Sequence, residues 1–133
     1  MATFRTFEDI EAWQMARELA KTIYCYASRG SFARDFGLRD QMQRAAVSVM
    51  ANIAEGYERN GNKEFLQFLS LAKGSVGELR SHLYVALDQA YITQAEFDDV
   101  RTHCTSVSVK IYYLMETLRR ATISGPKYKP PTP

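Results

Sequence analysis

The sequence predicts an all-α protein, an antiparallel up-down four-helix bundle. Three observations carry that expectation. Apolar residues recur every three or four positions through four separate stretches, which is the period of one helix face. Each stretch is roughly 20 to 28 residues long and the links are short, so successive helices lie side by side in alternating directions. Only 7 of the 133 residues are Gly and 4 are Pro, too few for a turn-rich all-β chain.

The first stretch runs from about Glu8 to Ser28. Thr6 with Asp9 three residues later has capping-box spacing, and Glu8, Asp9 and Glu11 put negative charge at the positive end of the helix dipole. Ala12, Ala16, Leu19, Ile23 and Tyr26 form its buried stripe, and Gly30 is read as the stop. Ser31 to Asp35 is then the longest link. The second stretch runs from about Phe36 to Glu58, with Leu38, Met42, Ala45, Val49 and Ile53 on its core face. Asn60-Gly61-Asn62 marks a turn, and Asn62 is the expected cap of the third stretch, Lys63 to Ala90. There Phe65, Phe68, Ala72, Val76, Leu79, Leu83, Ala86 and Ala90 keep a near-heptad rhythm. The fourth stretch opens with Thr93-Gln94-Ala95-Glu96, again a capping box by spacing. Phe97, Val100, Cys104, Val107, Ile111, Leu114 and Leu118 follow in unbroken steps of three and four.

The bundle is expected to occupy residues 1–121. Residues 122–133, with Gly125, Pro126, Pro130, Pro131 and Pro133, are expected to form an extended or disordered basic tail. At 46% hydrophobic and 24% charged, the composition excludes a disordered chain. The net charge of +2 is unevenly placed. Residues 119–133 hold Arg119, Arg120, Lys127, Lys129 and no acid, so residues 1–118 carry thirteen bases against fifteen acids, or −2. That is not the footprint of a whole-protein polyanion binder. The first nine residues lack the apolar segment of a secretory signal, and no apolar run reaches the ~18 residues a membrane span needs. A cytoplasmic location follows as the expectation, with Cys25 and Cys104 both free thiols.

The second stretch has more apolar surface than one core face requires. Val47, Met50, Ala51 and Ala54 lie off its core stripe and leave only a flank of Gln41, Arg44, Ser48, Asn52 and Glu55 polar. A helix apolar nearly all round is buried on two sides. In the third stretch Ser70, Gly74, Gly77 and Ser81 make a stripe of small residues, and a mid-helix Gly costs about 1 kcal/mol against Ala. Val47, Met50, Ala51, Ala54, Gly74 and Gly77 are therefore candidate contacts with a second copy of the chain. A tight crossing within one subunit is the alternative.

Candidate chemistry is sparse. His82 follows Glu78 by four and His103 follows Asp99 by four, which is not the Glu-x-x-His spacing of a bundle di-metal site. The two cysteines lack C-x-x-C spacing, and no phosphate loop, dinucleotide fingerprint or nucleophile elbow occurs. No enzyme activity, metal or cofactor is expected. Arg39, Arg44, Arg59, Lys63, Lys73 and Arg80 are the candidate phosphate contacts. Ordinary surface charge paired with Glu58, Glu64 and Glu78 is the competing reading.

Several segments resemble the 23S rRNA intervening-sequence proteins. They are Phe7-Glu8-Asp9-Ile10 with Trp13-Gln14, Phe36-Gly37-Leu38, and Gln41-Met42-Gln43-Arg44-Ala45-Ala46-Val47-Ser48. Asn52-Ile53-Ala54-Glu55-Gly56, Lys63-Glu64-Phe65, Phe68-Leu69, Ala72-Lys73-Gly74-Ser75 with Glu78-Leu79, and Tyr91-Ile92 follow in order. Asp35 stands where the family more often has Glu. The resemblance implies a small bacterial cytoplasmic four-helix bundle that assembles as a ring, typically a homopentamer, with no established enzyme activity. It also implies similarity to ring-forming accessory proteins that engage nucleic acid. Gln41, Ser48, Asn52, Glu55, Ser75 and Glu78 are expected to form a polar network between helices or subunits. The reading is thus a self-assembling binding or scaffold module for structured RNA, or alternatively a protein-interaction adaptor with no nucleic-acid role.

Overall fold

A computed structural model describes residues 4–123. Among these residues the protein is all-helical, with four long helices and two short pieces. A 3-10 turn spans Phe7–Asp9, followed by α1 (Glu11–Ala27), α2 (Gly30–Arg34), α3 (Phe36–Glu58), α4 (Asn62–Asp88) and α5 (Gln94–Ile123). α1 packs on α3 and α5, and α4 packs on the same two helices, so the four long helices enclose one core. The expected tail lies outside the described residues from position 124 on, and α5 itself reaches Ile123, two residues past the expected end of the bundle.

The chain enters α1 later than its charge pattern suggests. Glu8 and Asp9 belong to the 3-10 turn, where Asp9 Oδ2 accepts the backbone N–H of Arg5 at 2.8 Å and of Thr6 at 3.3 Å. Ile10 then adopts an extended backbone and buries its side chain to 1% exposure. Removing that apolar surface from water outweighs one more turn of helix. Gly30 is not a stop but the first residue of α2, with φ +47°. The expected link is therefore helical, and Phe32, 1% exposed, pins it to the core.

α3 occupies the expected residues, and Asp35 caps it by accepting the Leu38 N–H at 3.2 Å. Asn62 is not the cap of α4. Gly61 precedes the helix, and Asn62 is inside it and buried. Along α4 the core takes Leu69 in place of Phe68, which is half-buried, and Ala90 lies beyond the helix with φ +60°. At α5 the expected capping box forms in both directions. The Thr93 N–H donates to Glu96 Oε1 at 2.9 Å, and the Glu96 N–H donates to Thr93 Oγ1 at 3.1 Å.

One glycine is required by packing. A Cβ on Gly56 would stand 2.6 Å from Phe68 Cβ and 3.0 Å from Phe65 Cδ1, so its absence lets α3 and α4 approach closely.

Polar contacts tie the helices together at one end. Arg29 holds Glu96 with two bonds of 2.8 and 2.9 Å, and Tyr91 Oη donates to Asp35 Oδ2 at 2.8 Å with its ring stacked on Phe32. The Arg29 guanidinium, with the Thr93 N–H, holds the Glu96 carboxyl down at about 2. Along the α1–α5 seam, His103 Nε2 donates to the Met15 carbonyl at 3.1 Å and Lys110 meets Glu11 at 2.9 Å. His103 is thus half-buried and bonded between helices.

Candidate interaction surface

The candidate residues fall on three parts of the bundle. The first is the junction of α3 and α4. Ser75 Oγ donates to Ser48 Oγ at 3.0 Å, and Asn52 Nδ2 donates to Ser48 Oγ at 2.9 Å and to the Ser48 carbonyl at 2.8 Å. This network is half-buried and joins the two helices, which fixes their register. The other expected members are not in it. Glu55 pairs with Arg59 at 2.8 Å, Glu78 faces His82 at 3.4 Å, and Gln41 is exposed. Glu55 and Glu78 each have a basic partner four residues along their own helix, and that local pair forms instead.

The second part is the outer surface of α3 and α4. Ala51, Gly74 and Gly77 are exposed, and a Cβ on either glycine would meet nothing within 4 Å. A tight crossing within the subunit therefore does not account for Gly74 and Gly77. Leu71, one turn before Gly74 and Ser75, is 57% exposed. Val47, Met50, Ala51 and Ala54 lie apart from the two glycines on the outer flank of α3, where Ala51 follows Val47 by four and precedes Ala54 by three. Val47, 41% exposed, lines a groove with Tyr24 of α1 and with Asp40, Gln43 and Arg44. Met50 and Ala54, at helical steps from Val47, are half-buried on that same flank. The six apolar candidates thus divide between two patches.

The third part is the basic set, which does not converge. Arg39 is held within the chain, with Nη1 on the Ala33 carbonyl at 3.0 Å, Nε on Asp40 at 3.1 Å and the guanidinium over Phe36. Arg44 lines the groove beside Tyr24. Arg59 is neutralised by Glu55 and stacked over Phe68, and exposed Lys63 flanks the same turn. Arg39 and Arg59 are separated by twenty residues of one helix, about 30 Å. Lys73 and Arg80 are half-buried on α4. Periodicity alone did not single out the α5 residues opposite them. The only sequence signal is the uninterrupted three-four step of Arg101, Thr105, Ser108 and Tyr112.

The two cysteines differ in environment. Cys104 is fully buried, and burial pushes its thiol up to about 12, so it behaves as a small apolar core residue. Cys25 is exposed. Among the described residues no three His, Cys, Asp or Glu side chains gather into a metal-holding cluster, and no helix is long and apolar enough to cross a membrane.

The fold defines an all-helical bundle protein. Residues 8–124 match the family model described as 23S rRNA-intervening sequence protein, and the chain belongs to that family. No curated protein matches the chain. Among solved structures it is similar to a protein of unknown function from the S23 ribosomal protein family of Bacteroides thetaiotaomicron VPI-5482. The two are 19% identical with a TM-score of 0.71, over 79% of this chain and 98% of that one. At that identity the likeness establishes the shared fold.

Proposed function

We propose that the protein is a non-catalytic cytoplasmic scaffold that assembles from copies of itself and binds structured RNA. In this reading the four long helices run antiparallel in up-down order. The contacts of Glu11 with Lys110, Met15 with His103 and Arg29 with Glu96 support it, because positions advance along α1 as they recede along α5.

The observation that carries self-assembly is the open space over Gly74 and Gly77. Each glycine costs about 1 kcal/mol of helix stability, and among the described residues nothing packs within 4 Å to offset it. A helix of a second copy laid on this stripe would offset it, with Leu71 covered in the same contact. The second apolar patch, around Val47, Met50 and Ala54, lies on a different flank. Two unlike patches meeting head to tail exclude a two-fold dimer and generate a ring where the rotation between copies closes. The family resemblance supports five copies. The Ser48–Asn52–Ser75 network lies beside the first patch and would hold its shape.

Light scattering on the eluting protein tests this reading. The expected mass is five times the 15.2 kDa chain, falling to a single chain in Leu71→Glu and in Gly74→Gln. A wild-type protein that stays monomeric at high micromolar concentration overturns it.

The alternative is a protein-interaction adaptor that assembles but ignores nucleic acid. It is favoured by the balance of residues 4–123, fifteen bases against fifteen acids. Titration of a labelled RNA hairpin separates the two. Saturable, salt-sensitive binding supports the RNA scaffold, and no binding at low salt leaves the adaptor.

A further inference from the structure

Five cations, Arg29, Arg39, Arg59, Lys110 and Arg119, lie within 4.0 Å of a carboxylate. Lys73 and Arg80 do not. Every other Lys or Arg without such a partner among the described residues is exposed, whereas these two are half-buried. Partial desolvation of a cation is unfavourable unless an anion compensates it. A long cationic side chain at such a position covers apolar surface with its stem and keeps its charged head toward water.

Both heads border the seam between α4 and α5. Arg80 acts electrostatically on the Cys104 thiol of α5, and the ring of Tyr84, one turn further along, meets Phe97 of α5 edge-on at 4.9 Å. Lys73, Gly77, Arg80 and Tyr84 follow in steps of four, three and four, so they form one stripe of α4. On α5, Arg101 stands one turn after Phe97 and begins a matching stripe with Thr105, Ser108 and Tyr112. Neither stripe contains an acid. Tyr84 and Tyr112 are 51% and 45% exposed. Thr105 Oγ1 is engaged with the Arg101 carbonyl at 3.1 Å, while the Ser108 hydroxyl has no partner among the described residues.

We infer that the α4–α5 seam is the surface on which structured RNA is held, with Lys73, Arg80 and Arg101 each set against one backbone phosphate. Ser108 donates a hydrogen bond to the same backbone. Tyr84 and Tyr112 flank the strand and offer hydroxyls to ribose and faces to unpaired bases. Lys73 and Arg80 are held about 10 Å apart on a rigid helix, which suits the fixed phosphate array of a folded RNA. The inference rests on the RNA reading above and assigns it a place.

The test is fluorescence anisotropy of a labelled RNA hairpin titrated with the full chain across a salt series. Three phosphate contacts contribute about 2.7 to the slope of log affinity against log salt, roughly a 40-fold loss between ~50 and ~200 mM. The combined variant Lys73→Gln, Arg80→Gln, Arg101→Gln is expected to lose that part of the slope. A control combining Arg17→Gln, Lys21→Gln and Arg34→Gln, all exposed, removes equal charge elsewhere and is expected to keep it. Because Lys73 and Arg80 are half-buried, exposed Arg101→Gln alone is the second variant, and its slope should flatten by about 0.9. If the wild type binds and the seam variants match it, the seam is wrong and the RNA reading stands. If the control flattens the slope as much as the seam variants, binding is diffuse and the seam is wrong. If the wild type binds no RNA, both fall. Displacement of the hairpin by polyglutamate at equal charge would assign the seam to acidic polypeptide and overturn the inference.

Discussion

Gly56→Ala is the most exacting test of the packing. Gly56 is buried where α3 meets α4, and the added methyl would stand 2.6 Å from Phe68 Cβ, 3.0 Å from Phe65 Cδ1 and 3.4 Å from the Phe65 carbonyl oxygen. The closest of these atoms is a Cβ fixed to the α4 backbone. It cannot swing away, so the two helices must separate. Overpacking of this kind costs about 1 to 3 kcal/mol, and a rigid obstacle puts this site near the upper figure. Replacing a mid-helix Gly by Ala returns about 1 kcal/mol. The net loss is about 2 kcal/mol. Unfolding entropy of about 2.1 cal/mol/K per residue gives roughly 0.28 kcal/mol/K for this chain, so Tm should fall by about 7 °C. Gly37→Ala is the matched control, because a Cβ there meets nothing within 4 Å and the position is helical. It should raise Tm by up to about 3 °C. Far-UV circular dichroism of both variants reads the two signs directly. Phe68→Leu should not rescue Gly56→Ala, since the obstructing atom is retained. A Gly56→Ala protein melting at or above wild type would refute the close approach of α3 and α4.

Three further outcomes are expected. The Glu96 carboxyl titrates at about 2 rather than 4.5, so its contribution to stability is complete above about 4.5 and is lost as pH falls toward 2. Glu96→Gln should therefore be less stable than wild type at neutral pH, with the gap closing across that window; a constant gap in urea unfolding at each pH would contradict the assignment. With a thiol-reactive chromophore at mildly alkaline pH, the native protein should yield one fast thiol per chain, Cys25, and a second only after unfolding, because burial protects Cys104. Ala90 has φ +60°, a conformation that costs a residue with a Cβ about 1 kcal/mol, so Ala90→Gly should raise Tm by about 3 °C. An unchanged or lower Tm would locate the turn's strain elsewhere.

The parts of the fold legible in the sequence are those governed by local spacing. α3 begins and ends where its apolar period begins and ends, at Phe36 and Glu58. Thr93 and Glu96 exchange the hydrogen bonds that their spacing anticipates. What failed depends on contacts between distant residues. Glu8 and Asp9 look like a first helical turn because they suit the dipole, yet the burial of Ile10 bends the chain there and α1 starts at Glu11. The glycines show the same division. Gly74 and Gly77 stand out because they share a stripe, but both face open space. Gly56 follows Ile53 by three on the buried stripe of α3, but what forbids a side chain there is Phe68, twelve residues on, across the α3–α4 turn. Periodicity puts Gly56 on the buried face and Gly74 and Gly77 off it, but it does not say how near a neighbouring helix comes.

Charge divides in the same way, and this bears on function. Summed over residues 4–123, bases and acids cancel, which argues against a polyanion partner. Recognition of a phosphate backbone, however, depends on cations that remain uncompensated at particular points. Arg29, Arg39, Arg59, Lys110 and Arg119 are each met by a carboxylate, and the neutral total describes them well. It does not describe Lys73 and Arg80, whose stripe carries no acid and whose side chains are half withdrawn from water. Glu78, which sequence spacing offered as a partner for this region, faces His82 instead. A nearly neutral bundle can thus hold, at particular points of its surface, cations that no carboxylate meets.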